Sequence, residues 1–142
     1  MFANSPIVAI LPATNLERAR AFYEDKLKLR RLSSDPDNLM FEAGIGTLLV
    51  VYKREVPTKA EHTVAGFMVE DIEQAIEYLK SVGVSLEHYD LPGLKTDERG
   101  IADIEGERSA WFTDPEGNII AVMQPSPESA LRERQRAHAA GV

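Results

Sequence analysis

Apolar and polar positions along the chain change period several times, and the changes mark out its elements. Ile7-Val-Ala-Ile-Leu11 is a short apolar run that predicts a buried strand, ended by Pro12 because proline has no N–H for a ladder. From Leu16 the period lengthens. Leu16, Ala19, Tyr23 and Leu27, with Phe22 beside them, share one helical face, and Thr14 or Asn15 is placed to cap it. Strand signals follow at Leu29 to Ser34, Leu39 to Ala43 and Thr47 to Tyr52, separated by an Asp35-Pro-Asp-Asn38 turn and a Gly44-Ile-Gly46 turn. Arg54 to Glu61 is polar, contains Pro57 and suits a linker.

The order then starts again. His62 to Val69 predicts a strand, and Asp71 caps a helix with Ile72, Ala75, Ile76 and Leu79 on one face, stopped by Gly83. Val84 to Tyr89 predicts another strand. A long irregular stretch from Asp90 to Glu107 leads to two short strands around Asp114-Pro-Glu-Gly-Asn118, a turn in which proline presets φ, glycine supplies a positive φ, and Asp and Asn bond their own backbone. In this reading Asp114 is a turn residue, not a catalytic acid. Ser126-Pro127 opens a charged helix, Glu128 to His138, whose apolar stripe is thin.

The two halves match residue by residue. Asn15-Leu-Glu-Arg-Ala-Arg-Ala-Phe-Tyr23 aligns with Asp71-Ile-Glu-Gln-Ala-Ile-Glu-Tyr-Leu79, which places Val8 over Val64. Phe41 to Tyr52 aligns with Phe112 to Met123, which sets Gly46 on Gly117 and Val50 on Ala121. Two matches in the same order imply a duplicated βαβββ unit. The expected architecture is α+β: one domain over 1–124 made of repeats at about 6–53 and 62–124, with a helical tail at 125–142. Curved mixed sheets would form a cup with helices outside. If Ile7, Ala9 and Leu11 meet the helices, strand alternation sends Val8 and Ile10 to the cup, together with Leu48, Val50 and Tyr52, with His62, Val64, Gly66 and Met68, and with Ile119, Ala121 and Met123.

Composition narrows the function classes. Of 142 residues, 44% are hydrophobic and 27% charged, as in a soluble globular domain, and there is neither a membrane-length apolar run nor a secretion-signal layout. A cytoplasmic location is the expectation. With no cysteine, disulfides, thiolate metal sites and a Cys nucleophile are excluded. A net charge of −7 without a clustered basic patch argues against nucleic acid and leans toward a cationic ligand. No Gly-rich phosphate loop or Gly-x-Ser-x-Gly elbow occurs, and three histidines support a Ser-His-Asp triad poorly.

Asn15 to Tyr23, Val69-Glu-Asp-Ile-Glu-Gln-Ala75 and Trp111-Phe-Thr-Asp-Pro-Glu-Gly-Asn118 together resemble the vicinal-oxygen-chelate superfamily, which includes glyoxalase I, bleomycin-resistance proteins, extradiol dioxygenases, methylmalonyl-CoA epimerase and fosfomycin-resistance transferases. The resemblance covers about residues 6 to 124, and Tyr89 to Thr96 is similar to a loop of one branch. It implies four side chains, on the first and last strand of each half, that hold a divalent metal through His, Gln or Glu. Here those positions are Val8, Val50 (or Leu49, if the count slips by one), Val64 and Ala121. None of them can coordinate an ion, and this departure sets the family's metal-dependent chemistries in doubt.

His62 is the one catalytic candidate, a general base or displaced ligand with Glu61 or Glu42 as partner, and its simpler reading is a rim histidine that ends the linker. Tyr52 and Met123 face the cup, either to contact a ligand or to pack. Trp111 can stack on a planar ligand, although the sheet-to-helix core is the favoured place, and Met40 shares its ambiguity. The stretch from Asp90 to Glu107 is either a lid or a disordered or dimer-contact loop. The expected function is metal-independent binding, without a cofactor, of an apolar or aromatic small molecule, a cationic one included, in a cup lined by Val8, Ile10, Tyr52, His62, Val64, Met68, Trp111, Ala121 and Met123. Resemblance to the bleomycin-resistance proteins implies a homodimer. The rival expectation is a glyoxalase-like lyase or isomerase built around His62.

Overall fold

The computed structural model describes residues 1–128. The helix expected from Glu128 to His138, with most of the 125–142 tail, lies from residue 129 on outside the described residues. Contacts gather the described residues into two compact units, Met1–Ala65 with Thr113–Ile119, and Gly66–Phe112 with the described residues from Ile120.

The first module runs β1 (Ala9–Ala13), α1 (Leu16–Arg20), β2 (Arg30–Ser34), β3 (Asn38–Ala43) and β4 (Thr47–Lys53), with its sheet in the order β1-β4-β3-β2. β1 lies parallel to β4, and the other neighbours are antiparallel. The second module runs β5 (Thr63–Met68), α2 (Ile72–Ser81), a small hairpin of β6 (Asp90–Leu91) with β7 (Leu94–Lys95), then β8 (Ala102–Ile104), β9 (Glu107–Thr113) and β10 (Ile119–Gln124). Its sheet order is β5-β10-β9-β8. First strand, last strand, then the two between is the same order in both sheets. The fold is therefore α+β with two βαβββ modules.

Both helices start where a short polar side chain satisfies a free backbone N–H. Asn15 Oδ1 accepts from the Arg18 N–H at 2.9 Å, and Asp71 Oδ1 from the Gln74 N–H at 3.1 Å. α2 buries Ile72, Ile76 and Leu79 and closes at Gly83, whose φ of +81° lets the Gly83 N–H reach the Lys80 carbonyl and the Val84 N–H the Leu79 carbonyl. In the first unit Leu11, Ala13, Leu39, Phe41, Leu49 and Val51 alternate along their strands as the buried face. They pack with Ala19, Phe22 and Tyr23, and the Tyr23 ring lies 5.1 Å from Phe22, edge to face, and 5.9 Å from Phe41.

Four expectations are corrected. Pro12 does not end β1 but lies inside it, because β1 is an edge strand and the missing N–H points away from any partner; Ile7, 91% exposed, stands ahead of the strand and meets no helix. The first helix is not uniform, since after Arg20 it widens into a π-helical turn, Ala21–Lys26, with the Leu27 N–H on the Phe22 carbonyl. Val84 to Tyr89 is not a strand. It meets the edge occupied by Trp111 and Phe112 through the Leu86–Phe112 bridge and a bond from the Glu87 N–H to the Trp111 carbonyl at 2.7 Å. β8 takes the other end of the same edge, with Ala102 opposite Ser109, so one strand position is divided between two pieces and the hairpin is inserted between them.

That insertion is ordered by its own bonds. Asp97 accepts from the N–H groups of Arg99 and Ile101, chiefly the latter, which holds its carboxyl below the usual aspartate value. Arg99 joins Asp97 to Glu73 of α2, and Arg108 of β9 reaches the same Glu73 carboxylate. These residues do not form the disordered loop that was one expectation for 90–107.

Candidate functional site

The faces of the two sheets turned away from the helices carry most of the residues singled out from the sequence. In the first, register sets Ile10 opposite Val50 and Val50 opposite Met40, while Pro12 and Asn38 flank Tyr52. Ile10 is 58% exposed and Val8, just ahead of β1, is 36% exposed; Met40, Leu48, Val50 and Tyr52 are half-buried. The result is a continuous apolar row on a surface strand face, whereas such faces commonly alternate to polar. Leu49 lies on the buried face, which fixes Val50 as the outward residue.

Arg54 continues the parity of Tyr52. Its guanidinium donates to the Tyr52 hydroxyl at 3.1 Å, with the guanidinium carbon 5.9 Å from the ring centroid. Sequence reading missed Arg54, although the two-residue spacing from Tyr52 was the available signal.

On the second sheet a Cβ added to Gly66 would stand 2.6 Å from the Met123 methyl and 3.6 Å from the Ala121 Cβ. Glycine at this position is what lets the Met123 thioether lie across β5. Met68 is 55% exposed, and Ala121 is buried and does not line open surface. Trp111 corrects the expectation that favoured the core. Ala110 and Phe112 are the buried neighbours, and Trp111 projects to the other face, edge-on to Tyr89 with ring centroids 5.4 Å apart. Burial and the nearby Glu87 carboxylate push the Tyr89 phenol upward, so it is a neutral donor near pH 7.

His62 is exposed and precedes β5 by one residue, and Val64 is half-buried within the strand. Among the described residues, no three His, Cys, Asp or Glu side chains converge as a metal group would need. The four implied ligand positions, Val8, Val50, Val64 and Ala121, end in hydrocarbon, so a divalent ion would lose hydration without gaining donors. These residues do not fit such an ion.

The buried charge of the first unit lies instead in the 113–119 turn. Asp114 accepts from the Tyr23 hydroxyl at 2.6 Å, from the Glu116 and Asn118 N–H groups at 2.9 Å each, and from Asn118 Nδ2 at 2.8 Å. Asn118 Nδ2 also donates to the Pro12 carbonyl. Glu116 accepts from the Thr14 N–H at 2.6 Å, the Thr14 hydroxyl, the Asn15 N–H and Arg18, whose guanidinium is 2.6 Å away. Glu116 thus satisfies N–H groups where α1 begins, and Asp114 is the turn residue the sequence implied.

Burial pulls the Glu116 carboxyl upward, but the Thr14 N–H, Arg18 and the remaining donors outweigh it and hold it below the usual glutamate value. A depressed folded-state pKa contributes stability that is complete above the unfolded value of about 4.3 and is lost as pH falls through the folded value. Thermal melts from about pH 6 to pH 3 should show wild type losing more stability than Glu116→Gln, which cannot titrate. Parallel curves for the two proteins would refute this role for Glu116.

A model of the Glyoxalase/Bleomycin resistance protein/Dioxygenase superfamily matches residues 6–122. No curated protein sequence matches significantly. Solved structures share the fold at low identity. A glyoxalase/bleomycin resistance protein/dioxygenase from Alicyclobacillus acidocaldarius is 18% identical, with a TM-score of 0.66 over 85% of this chain and 91% of that one. Lactoylglutathione lyase from Agrobacterium tumefaciens is 20% identical, with a TM-score of 0.65 over 84% and 93%. TnmS3, an antibiotic binding protein from Streptomyces sp. CB03234, is 22% identical, with a TM-score of 0.60 over 87% and 98%. No helix among the described residues is long and apolar enough to cross a membrane.

Proposed function

Because the chain belongs to the glyoxalase/bleomycin resistance protein/dioxygenase superfamily, we propose that it works as a binding member: it holds an apolar or aromatic small molecule on the outward sheet faces without a metal. The observation that carries the reading is the in-register row Ile10, Val50 and Met40, hydrocarbon that is exposed at Ile10 and half-buried at Val50 and Met40, with Val50 at a position where the family's metal chemistry requires a donor. Covering such a row with a ligand removes apolar surface from water at about 25 cal/mol per Å2. Tyr52 adds a phenol at the end of the row, and Met123 and Trp111 give the second sheet an adaptable thioether and a planar ring for stacking. A structure of this fold that is an antibiotic binding protein supports the same reading. The homodimer and the cytoplasmic location belong to the proposal; light scattering at twice the monomer mass would support the first.

Thermal-shift screening of purified protein tests the reading. Apolar aromatic compounds should raise the melting temperature, divalent ions should leave it unchanged, and mass spectrometry of protein purified without chelators should find no stoichiometric metal. Stabilisation by a divalent ion alone, with bound metal that is lost in His62→Ala, would establish the rival enzyme built around His62.

A further inference from the structure

Next to the row on the first sheet, the same unit has a cavity of about 340 Å3 lined by Pro12, Arg54, Val56, Pro57, Thr58 and Lys59. Its size falls at the low end for small-molecule sites. We infer that this cavity takes the carboxylate of an acidic, apolar-bodied small molecule, with Arg54 and Lys59 as its counter-ions. The inference rests on the binding reading above and specifies the ligand's charged end.

The contrast with the rest of the chain carries it. Arg18, Arg20, Arg30, Arg31, Arg99 and Arg108 all pair with carboxylates. Among the described residues Arg54 is the one arginine that forms no ion pair, and it lines a cavity with a second cation, Lys59, in a chain of net charge −7. Arg54 is nonetheless positioned. Its backbone N–H bonds the Ala13 carbonyl at 2.8 Å, and one guanidinium nitrogen is fixed on the Tyr52 hydroxyl, which leaves other N–H groups of a planar fork that suits a carboxylate. Thr58, whose Oγ1 accepts from the Ala60 N–H, keeps its hydroxyl proton for donation. Pro12, Val56 and Pro57 form the apolar part of the wall, and Pro12 lies opposite Tyr52 in the sheet register, so the cavity is continuous with the row. Two cations beside hydrocarbon match a monoanion with an apolar body. They favour an anion at this place over the cation that net charge alone favours.

Calorimetric titration of the full chain with phenylacetate, phenylacetamide, phenethylamine and inorganic phosphate tests the inference. Phenylacetate should bind at least about tenfold more tightly than the amide, the worth of a charged hydrogen bond, and phenethylamine should bind more weakly still. Arg54→Gln should lose about tenfold for phenylacetate and nothing for the amide, and Lys59→Gln should lose less. Both side chains are exposed, so both variants should keep the wild-type melting temperature. Equal affinity for acid and amide, phosphate binding as tightly as phenylacetate, or an unchanged Arg54→Gln would each overturn the carboxylate site. If uncharged aromatics bind wild type and Arg54→Gln alike while phenylacetate gains nothing, this inference fails and the binding reading stands. If no aromatic compound binds at all, the binding reading fails with it.

Discussion

Asp114→Ala is expected to destabilise the protein by about 3–4 kcal/mol, a fall in melting temperature of roughly 10 °C, without altering any group on the outward sheet faces. The carboxylate accepts four hydrogen bonds from buried or half-buried donors, two of them backbone N–H groups inside its own turn and one the hydroxyl of a tyrosine with no exposed surface. Removing the acceptor leaves each donor dry and unpaired, which costs more than the bonds themselves contribute. Burial, and then the Asp114 charge, push the Tyr23 phenol well above its usual range, so this proton stays in place to be donated at any ordinary pH. Tyr23→Phe should therefore cost a fraction of the Asp114 loss, about 1–2 kcal/mol, because it removes one donor and leaves the turn's own bonds. Denaturant melts of the two variants check the ranking. An Asp114→Ala protein as stable as wild type would show that the turn is not gripped as described.

The second large effect concerns binding. Val50→Glu should reduce affinity for an apolar ligand about a hundredfold while the protein stays folded, since the new carboxylate would have to be desolvated beneath the ligand between Ile10 and Met40. Glu42, half-buried on the same face of β3, already takes up Arg30 in an ion pair at 2.8 Å, so that arginine is not free to compensate the new carboxylate. Val50→Leu, which changes shape without charge, should stay within a few-fold of wild type. Calorimetry with a compound found by the thermal screen reads both. If Val50→Glu binds as wild type does, the ligand is not on this face.

Elements governed by neighbours in sequence were legible before the fold was known. Asn15 and Asp71 cap helices because their partners are three residues away, Gly83 and Gly117 mark turns through their own φ, and alternation along β4 separates Leu49 from Val50. Pro12 misled because a proline ends a strand only when its N–H is needed, and whether a strand lies at an edge is a property of the sheet. The divided edge of β9 was hidden for a similar reason. Val84 to Tyr89 has strand composition, but the pairing partner along most of that edge is β8, beyond an inserted hairpin.

The clasp of the turn was also out of reach. Tyr23 and Asp114 are 91 residues apart and Thr14 and Glu116 are 102 apart, so no local pattern joins them. The outward faces lay between these cases. Parity supplied Ile10, Tyr52 and Met123, but whether Trp111 joined the core or the open side depended on Phe112 and Ala110 occupying the buried side of β9. Arg54 and Lys59 gained meaning only as walls of one cavity.

Titration of a stabilising aromatic compound with and without a strong chelator tests most directly whether this chain binds an apolar ligand without a metal. The same dissociation constant and the same heat are expected in both titrations. Binding that disappears with chelator and returns with an added divalent ion would contradict it.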